Sequence, residues 1–351
     1  MSCPVSAMAQ SPFFWDEFDR ADLFDSEINW HVDDNAAVTL IDGSVAVIPL
    51  DGNTPGFYAE TPMEVSDFSF RVQVHFQDVL GVYAARPFIG LVGRDFVIGD
   101  GNAYWAGPSS DGNLYLGESI GTNTVIHTSR HLLSRDEIND ADIHVQFDAV
   151  GDQISITSWV DGTEKPDEPQ LKITDDTQTT GNGFSLVINP SNQLTGFDVR
   201  YFAVLPGVPG DFSGNSTVDV ADVDYLTEQI RSGGTNRAFD LTDDAVVDGH
   251  DHQHWVEDIA KTWFGDANLD GEFNSQDLVA VFQSGEFEDA ADGNSTWSTG
   301  DWNGDGDFTS ADFVKAFQDG GYEQGIRNVT AAVPEANVSG LLFLAGILFW
   351  R

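Results

Sequence analysis

Basic side chains are scarce in this chain of 351 residues: 15 Lys and Arg stand against 58 Asp and Glu, for a formal net charge of −43. Residues 1–205 carry 31 acidic and 9 basic side chains, and residues 211–325 carry 26 and 4 in little more than half that length. A field of that sign repels nucleic acid and anionic membrane surfaces, so no nucleic-acid partner is expected. It is tolerable where divalent cations neutralise the carboxylates. Cysteine is nearly absent: Cys3 alone excludes an intrachain disulfide framework and any cysteine-built zinc site. That does not exclude export, because a large β-rich exoprotein needs no disulfides once its core is big enough. Apolar runs long enough to span a membrane are missing as well, since the one extended run, residues 341–350, is about half of a span.

What is present falls into two compositions, and the length leaves room for two or three domains. From residue 14 to residue 206 the pattern is that of strands. Residues 68–76 alternate apolar and polar without error, the period of a strand with one buried face. The same alternation runs through Ile143, Val145 and Phe147, and through Phe197, Val199, Tyr201 and Ala203. Turn pairs such as Asp42-Gly43 and Gly151-Asp152 punctuate the runs. Short strands at such spacing predict an all-β, two-sheet antiparallel sandwich of jelly-roll type.

Three stretches, FDRADLFDSEINWHV from Phe18, DIHVQFDAVGDQISITSWVDG from Asp142 and TGFDVRYFAVLP from Thr195, resemble concanavalin A-like, laminin-G-like sandwich domains. Such domains include glycan-binding modules and glycan-cleaving enzymes, so the resemblance implies a polysaccharide partner without assigning catalysis. The E-x-D-x-E type of strand found in laminarinase-like relatives is missing. Glu60 and Glu64 flank Pro62, and Glu17, Glu27, Glu118 and Glu137 read as isolated residues in turn-like contexts, so no catalytic residue is assigned. Trp30, Tyr104, Trp105 and Trp159 offer flat rings for stacking on sugars; the alternative is that they fill the core.

Residues 205–210 form a short linker of turn-formers. Beyond it an Asp-rich 12-residue loop recurs four times, beginning at Asp211, Asp240, Asp266 and Asp301, spaced 29, 26 and 35 residues apart. Asp also stands at position 12 of each loop: Asp222, Asp251, Asp277 and Asp312. Position 3 is Ser213, Thr242, Asn268 and Asn303; position 5 is Asn215, Asp244, Asp270 and Asp305. Position 9 is Asp219, Asp248, Asn274 and Thr309, all bearing oxygen. Calcium takes six to eight hard oxygens, and a 12-residue loop supplies them from positions 1, 3, 5, 9 and 12 with the backbone carbonyl of position 7. That carbonyl belongs to Thr217, Val246, Glu272 and Asp307. Position 6, where the turn favours glycine, is Gly271 and Gly306 in the last two loops, but Ser216 and Ala245 in the first two, which predicts strain and weaker binding there. The expected cofactor is therefore Ca2+.

Each loop is followed by apolar residues at helical spacing: Val223, Leu226 and Ile230; Trp255, Ile259 and Trp263; Leu278, Val281 and Phe282; Phe313, Phe317 and Tyr322. A calcium loop followed by one helix, closed by Asp, resembles the repeat of type I dockerin domains. The resemblance divides the repeats into two pairs, 211–264 and 266–323, and implies a cohesin-like partner. The residues that would meet it, at positions 10 and 11, are Val220-Ala221, Gly249-His250, Ser275-Gln276 and Ser310-Ala311, which is not the familiar Ser-Thr pair. His250, His252 and His254 crowd the second helix and read as a solvated face.

At the start, Ala7-Met8-Ala9 before Gln10 reads as the remnant, residues 1–10, of a signal peptide whose apolar part lies upstream; an ordinary N-terminus is the alternative. At the end, residues 333–351 run Val-Pro-Glu-Ala, an apolar stretch and a final Arg351, resembling the PEP-CTERM signal read by exosortase-type sorting machinery of Gram-negative-type bacteria. Ala336 stands where a second proline is expected. Together these features lead to the expectation of a secreted or surface calcium-binding protein with a carbohydrate-binding or structural sandwich. A polysaccharide-degrading enzyme and a structural surface-layer component are the alternatives.

Overall fold

The computed structural model of the chain describes residues 11–327, apart from 25, 27, 33–35, 42, 50–55, 77–87, 94–102, 109–111, 121–122, 132–140, 178–180 and 190–196. The signal-peptide remnant and the sorting tail expected above lie outside the described residues, as do Glu27 and Glu137.

The strands form two antiparallel sheets. The first runs β13 (Leu171–Thr174), β12 (Gln153–Val160), β11 (Asp142–Val150), β6 (Phe68–Phe76), β15 (Phe197–Pro206), β4 (Val45–Pro49) and β3 (Ala36–Leu40), with β1 (Phe14–Asp16) also against β15. The second runs β10 (Asn123–His131), β9 (Asn113–Ile120), β8 (Ala103–Pro108), β7 (Phe88–Gly93), β14 (Gly181–Asn189), β5 (Gly56–Val65) and β2 (Asn29–Val32). The alternation that predicts strand β6 also sets its inner face: Phe68, Phe70, Val72 and Val74 are fully buried. Opposite them on β11 the register places Phe147 by Phe70, Val145 by Val72 and Ile143 by Val74. Rings carry this core across to the second sheet, with Phe68 edge-on to Phe184 at 4.8 Å and Trp30 edge-on to Phe202 at 4.9 Å. Burying an aromatic side chain of this kind contributes roughly 1.5–3 kcal/mol, which makes the shared layer the main source of the sandwich's stability.

In β15 the simple alternation fails. The register slips between Val199 and Tyr201, so an extra residue enters the strand and the phase of the side chains shifts by one. Phe202 and Val204 point inward, and Tyr201, expected on the inner face, stacks instead on Trp15 with ring centroids 4.6 Å apart.

After β15 the chain is helical. Its helices are α1 (Val220–Arg231), α2 (Gly249–His254), α3 (Ser275–Ser284) and α4 (Ser310–Asp319). Helix α2 continues through Ile259 in a widened turn, where the Trp255 carbonyl accepts from the amide of Ala260, five residues on, at 2.8 Å. Val223, Leu226, Trp255 and Val281 are buried as their spacing predicts. Phe282 and Phe317 depart from it: they are 52% and 50% exposed, although Phe282 still meets Phe287 and Phe313, and Phe317 meets Phe273 and Tyr322.

The turn-rich segment 205–210 is held in place. The Gly207 amide donates to Asp67 at 3.3 Å, and the Trp255 indole donates to the Gly210 carbonyl at 2.9 Å. The first repeat lies against the start of the sandwich, where the Asn236 side chain accepts from the Trp15 amide (3.0 Å) and donates to the Phe13 carbonyl (3.1 Å). Arg237 pairs with Glu17 at 2.6 Å and covers the Trp15 ring. Contacts also join the two pairs of repeats: the Trp297 amide donates to Asp224 (2.8 Å) and Arg231 reaches Asp301 at 3.3 Å, while the Trp297 indole donates within its own pair to the Asp266 carbonyl (2.7 Å).

Candidate metal centres

The four loops share one backbone design. At position 6 the backbone is left-handed in all four, with φ of 66° at Ser216, 66° at Ala245, 92° at Gly271 and 94° at Gly306. This turn points the position-6 amide at the carboxylate of position 1. The four bonds, to Asp211, Asp240, Asp266 and Asp301, measure 2.8, 2.8, 2.7 and 2.8 Å. Position 4 is left-handed as well, at Gly214, Asp243, Leu269 and Gly304, a feature that ligand spacing alone does not reveal.

Position 12 closes each loop from the first turn of its helix. One oxygen of Asp222, Asp251, Asp277 and Asp312 accepts from the position-9 amide, at 2.7, 2.8, 2.9 and 2.8 Å. The other accepts from amides at position 2 or 3, such as Ser213 to Asp222 at 2.7 Å and Asn303 to Asp312 at 2.9 Å. The position-9 side chains serve as helix N-caps: Asp219, Asp248, Asn274 and Thr309 accept from the position-11 amides. The position-5 side chains accept from the position-7 amides, for example Asp270 from Glu272 at 3.1 Å and Asp305 from Asp307 at 3.0 Å. In the last two loops Asn268 and Asn303 donate to the position-5 carboxylates at 3.0 and 2.9 Å. In the first two, the Ser213 and Thr242 hydroxyls donate to Asp211 and Asp251, each at 3.2 Å.

The electrostatics of these loops are one-sided. Asp211, Asp222, Asp251, Asp266, Asp277, Asp301 and Asp312 are almost wholly buried. Burial pushes the carboxyl groups of Asp222 and Asp301 up to about 7 and that of Asp266 to about 6, against the pull of their amide donors. Asp211, Asp277 and Asp312 are raised for the same reason. Among the described residues the guanidinium groups close to these loop carboxylates are Arg231, 3.3 Å from Asp301, and Arg237, 3.9 Å from Asp240. A buried set of hard oxygen donors carrying excess negative charge suits a divalent cation of the calcium class, and the residues present fit it.

Other expectations are redistributed. Trp30 and Tyr104 are core residues, 4% and 0% exposed, and offer no ring face to a sugar. Trp159 is half-buried, with one face on His144 at 4.8 Å and Lys165 over the ring at 5.7 Å. His250 and His254 are solvated, but His252 is buried between Phe264 and Trp297, and burial lowers its pKa to about 3. Glu118 reads in the sequence as an isolated residue in a turn-like context, but it lies within β9, 8% exposed and 3.3 Å from His127. It belongs with His127 and Asp175 to the one group among the described residues whose three acidic or imidazole ligand atoms lie within 4.8 Å of one another. The loop carboxylates form no such group of three. Where the first repeat meets the sandwich, a cleft of about 510 Å³ is lined by Trp15, Asn29, Glu60, Gln229 and Asn236, among others.

No protein-family model and no curated protein matches the sequence. Solved structures similar to part of the chain include the carbohydrate binding module CBM66 from Bacillus subtilis, 16% identical, covering 50% of this chain and 96% of that one, TM-score 0.37. Another is the exoplasmic/lumenal domain of VIP36 in a Ca2+/Man3GlcNAc-bound form, 11% identical, covering 50% and 83%, TM-score 0.40. A laminarinase from Flavobacterium sp. UMI-01 is 8% identical, covering 54% and 98%, TM-score 0.38.

Proposed function

We propose that this chain is a calcium-folded exoprotein: its four loops each take a Ca2+ ion, and the ions hold the helical repeats together beside the sandwich. The observation that carries this reading is the burial of all eight carboxylates at loop positions 1 and 12, with two arginines nearby to neutralise them. Leaving such charges unpaired costs several kcal/mol each, and bound calcium turns that cost into folding energy. Positions 1, 3, 5 and 12 with the position-7 carbonyl supply the ligands, and position 9, already a helix cap, acts through water. Calcium titration of the whole chain, followed by circular dichroism and calorimetry, tests this. A weaker helix signal and a lower melting temperature in excess chelator, both restored by adding calcium, are expected; a fully helical, equally stable chain in chelator overturns it.

A second reading concerns the sandwich, whose ligand we infer to be a carbohydrate held in the junction cleft. There the Trp15 indole and the amides of Asn29 and Gln229 mix apolar with hydrogen-bonding groups, the chemistry that suits a polyhydroxylated ligand. Binding on a glycan array without release of reducing sugar supports it, and hydrolysis of a polysaccharide would favour the enzyme alternative. The repeats would then serve assembly with a cohesin-like or other surface partner, and the tail would direct sorting to the cell surface.

A further inference from the structure

The group formed by Glu118, His127 and Asp175 has a construction unlike that of the loops. It stands where edge strands of the two sheets meet. Glu118 lies on β9 opposite Tyr104 of β8 and Val125 of β10. His127 is the extra residue of a bulge, for the pairing of β10 with β9 slips between Ile126 and Thr128. A bulge re-aims a side chain that regular pleating would place otherwise, and here the His127 Nε2 atom comes within 3.3 Å of a Glu118 oxygen. Asp175 arrives from the other sheet, one residue past β13, its amide tied to the Asp152 carbonyl at 2.8 Å. Its carboxylate is anchored from inside the core by the hydroxyl of the fully buried Tyr104 at 2.5 Å and by the Thr177 hydroxyl at 2.6 Å.

We propose that Glu118, His127 and Asp175 hold a divalent ion of the zinc class, clamping the edge of one sheet to that of the other. One imidazole nitrogen with two carboxylates is a borderline nitrogen–oxygen set that suits zinc, and it is too small and too poor in oxygen for calcium. Two ligands about 2.1 Å from one ion at a tetrahedral angle stand roughly 3.4 Å apart, close to the His127–Glu118 separation. Tyr104 is an outer partner of the kind that orients a ligating carboxylate. The Glu118 carboxylate and the Asp175 carboxylate together bring two negative charges to the ion, and Glu118 is nine-tenths buried.

The test is calorimetric titration of the full chain with zinc chloride in a large excess of calcium, so that the oxygen loops are filled. The wild-type chain is compared with His127→Ala, Asp175→Asn and a His250→Ala/His254→Ala double variant, which removes the solvated histidine pair. One tight zinc equivalent is expected in wild type and in the double variant. At least a tenfold loss of affinity is expected in His127→Ala and Asp175→Asn, with the zinc-induced rise in melting temperature also lost. His127 lies at the rim, so its alanine variant keeps the fold and decides the matter even where Asp175→Asn unfolds. No zinc equivalent in wild type, or unchanged binding in His127→Ala, overturns the proposal. Either outcome leaves the calcium reading of the loops intact, since that is read in a separate titration.

Discussion

Position 6 of the loops offers a controlled exchange. Ala245 holds φ at 66°, and Gly271 does the same work at 92°. A left-handed backbone costs an L-residue roughly 1–2 kcal/mol, while glycine gives up about 0.4–1 kcal/mol through the freedom of its unfolded chain. Ala245→Gly should therefore gain a net of about 0.5 kcal/mol, close to a twofold tightening of calcium at the second loop. Gly271→Ala, the reverse change at the less favourable φ of 92°, should lose a net of about 0.5–1 kcal/mol, roughly two- to fivefold in affinity at the third loop. Crowding does not confuse the second change, because a β-carbon at Gly271 would meet its nearest neighbour, Ile326, at an ordinary 3.6 Å. Ser216 is a poorer choice for the gain, since its hydroxyl bonds the Ser66 hydroxyl at 2.8 Å and glycine would forfeit that. Calcium titration calorimetry of the whole chain, with site-by-site fitting, reads both effects. If Ala245→Gly weakens binding, or Gly271→Ala leaves it unchanged, the left-handed turn does not control these sites.

Two further outcomes follow from buried groups. In chelator, Asp222 and Asp301 titrate at about 7, above their unfolded value of 3.8, so the folded state holds their protons longer than the unfolded chain does. Their stabilising protonation is complete below 3.8 and is lost as pH rises through about 7. Thermal melts in chelator should accordingly fall from pH 5 to pH 8, and saturating calcium should flatten or reverse the trend; a chelated chain that gains stability over that range contradicts the assignment. At Gly117 an added β-carbon would overlap the Val125 carbonyl and the Trp105 ring, so Gly117→Ala should part β10 from β9. A destabilisation of about 1–3 kcal/mol is expected from the overpacking, read as a lower melting temperature with near-wild-type calcium titration.

The features legible in the sequence are those with a short period. Strict alternation at 68–76 corresponds to a buried inner face, and repeated Asp at positions 1 and 12 corresponds to buried carboxylates in four similar loops. What escaped depends on register between distant strands. The bulge in β15 turns Tyr201 outward, and the one in β10 brings His127 to Glu118; neither leaves a mark in the local pattern. Asp175 joins them from 48 residues beyond His127, through a contact between sheets that no spacing rule anticipates. The aromatic residues show the same limit. Trp30 and Trp159 read alike in sequence, yet one is core and the other half-buried, because burial is decided by which sheet face covers the ring. His252 differs from His250 and His254 for the simpler reason that a helix of period 3.6 turns alternate residues to opposite sides.

The first loop sits against the sandwich, and that contact ties the two halves together. A β-carbon at Gly214 would touch Pro12, Val65 and Phe13 at 3.2, 3.4 and 3.6 Å, and the Ser11 hydroxyl donates to the Phe212 carbonyl at 2.8 Å. The backbone of loop 1 is therefore part of the surface on which β1 is laid. If calcium fixes that backbone, emptying the first site must loosen β1, which pairs with β15 alone, while leaving alone the central strands β6 and β11, each held by a neighbour on both sides. Asp211→Ala removes the carboxylate that accepts from the Gly214, Asn215 and Ser216 amides, leaving three donors to find water. With net hydrogen bonds of this charged kind near 1.5–3 kcal/mol each in the buried state, protection of the Trp15 and Asp16 amides should fall by at least tenfold. Asp312→Ala, in the fourth loop, should spare them. Hydrogen exchange measured peptide by peptide in calcium separates the two variants; equal protection of β1 in both would mean that the repeats and the sandwich share a surface without sharing stability.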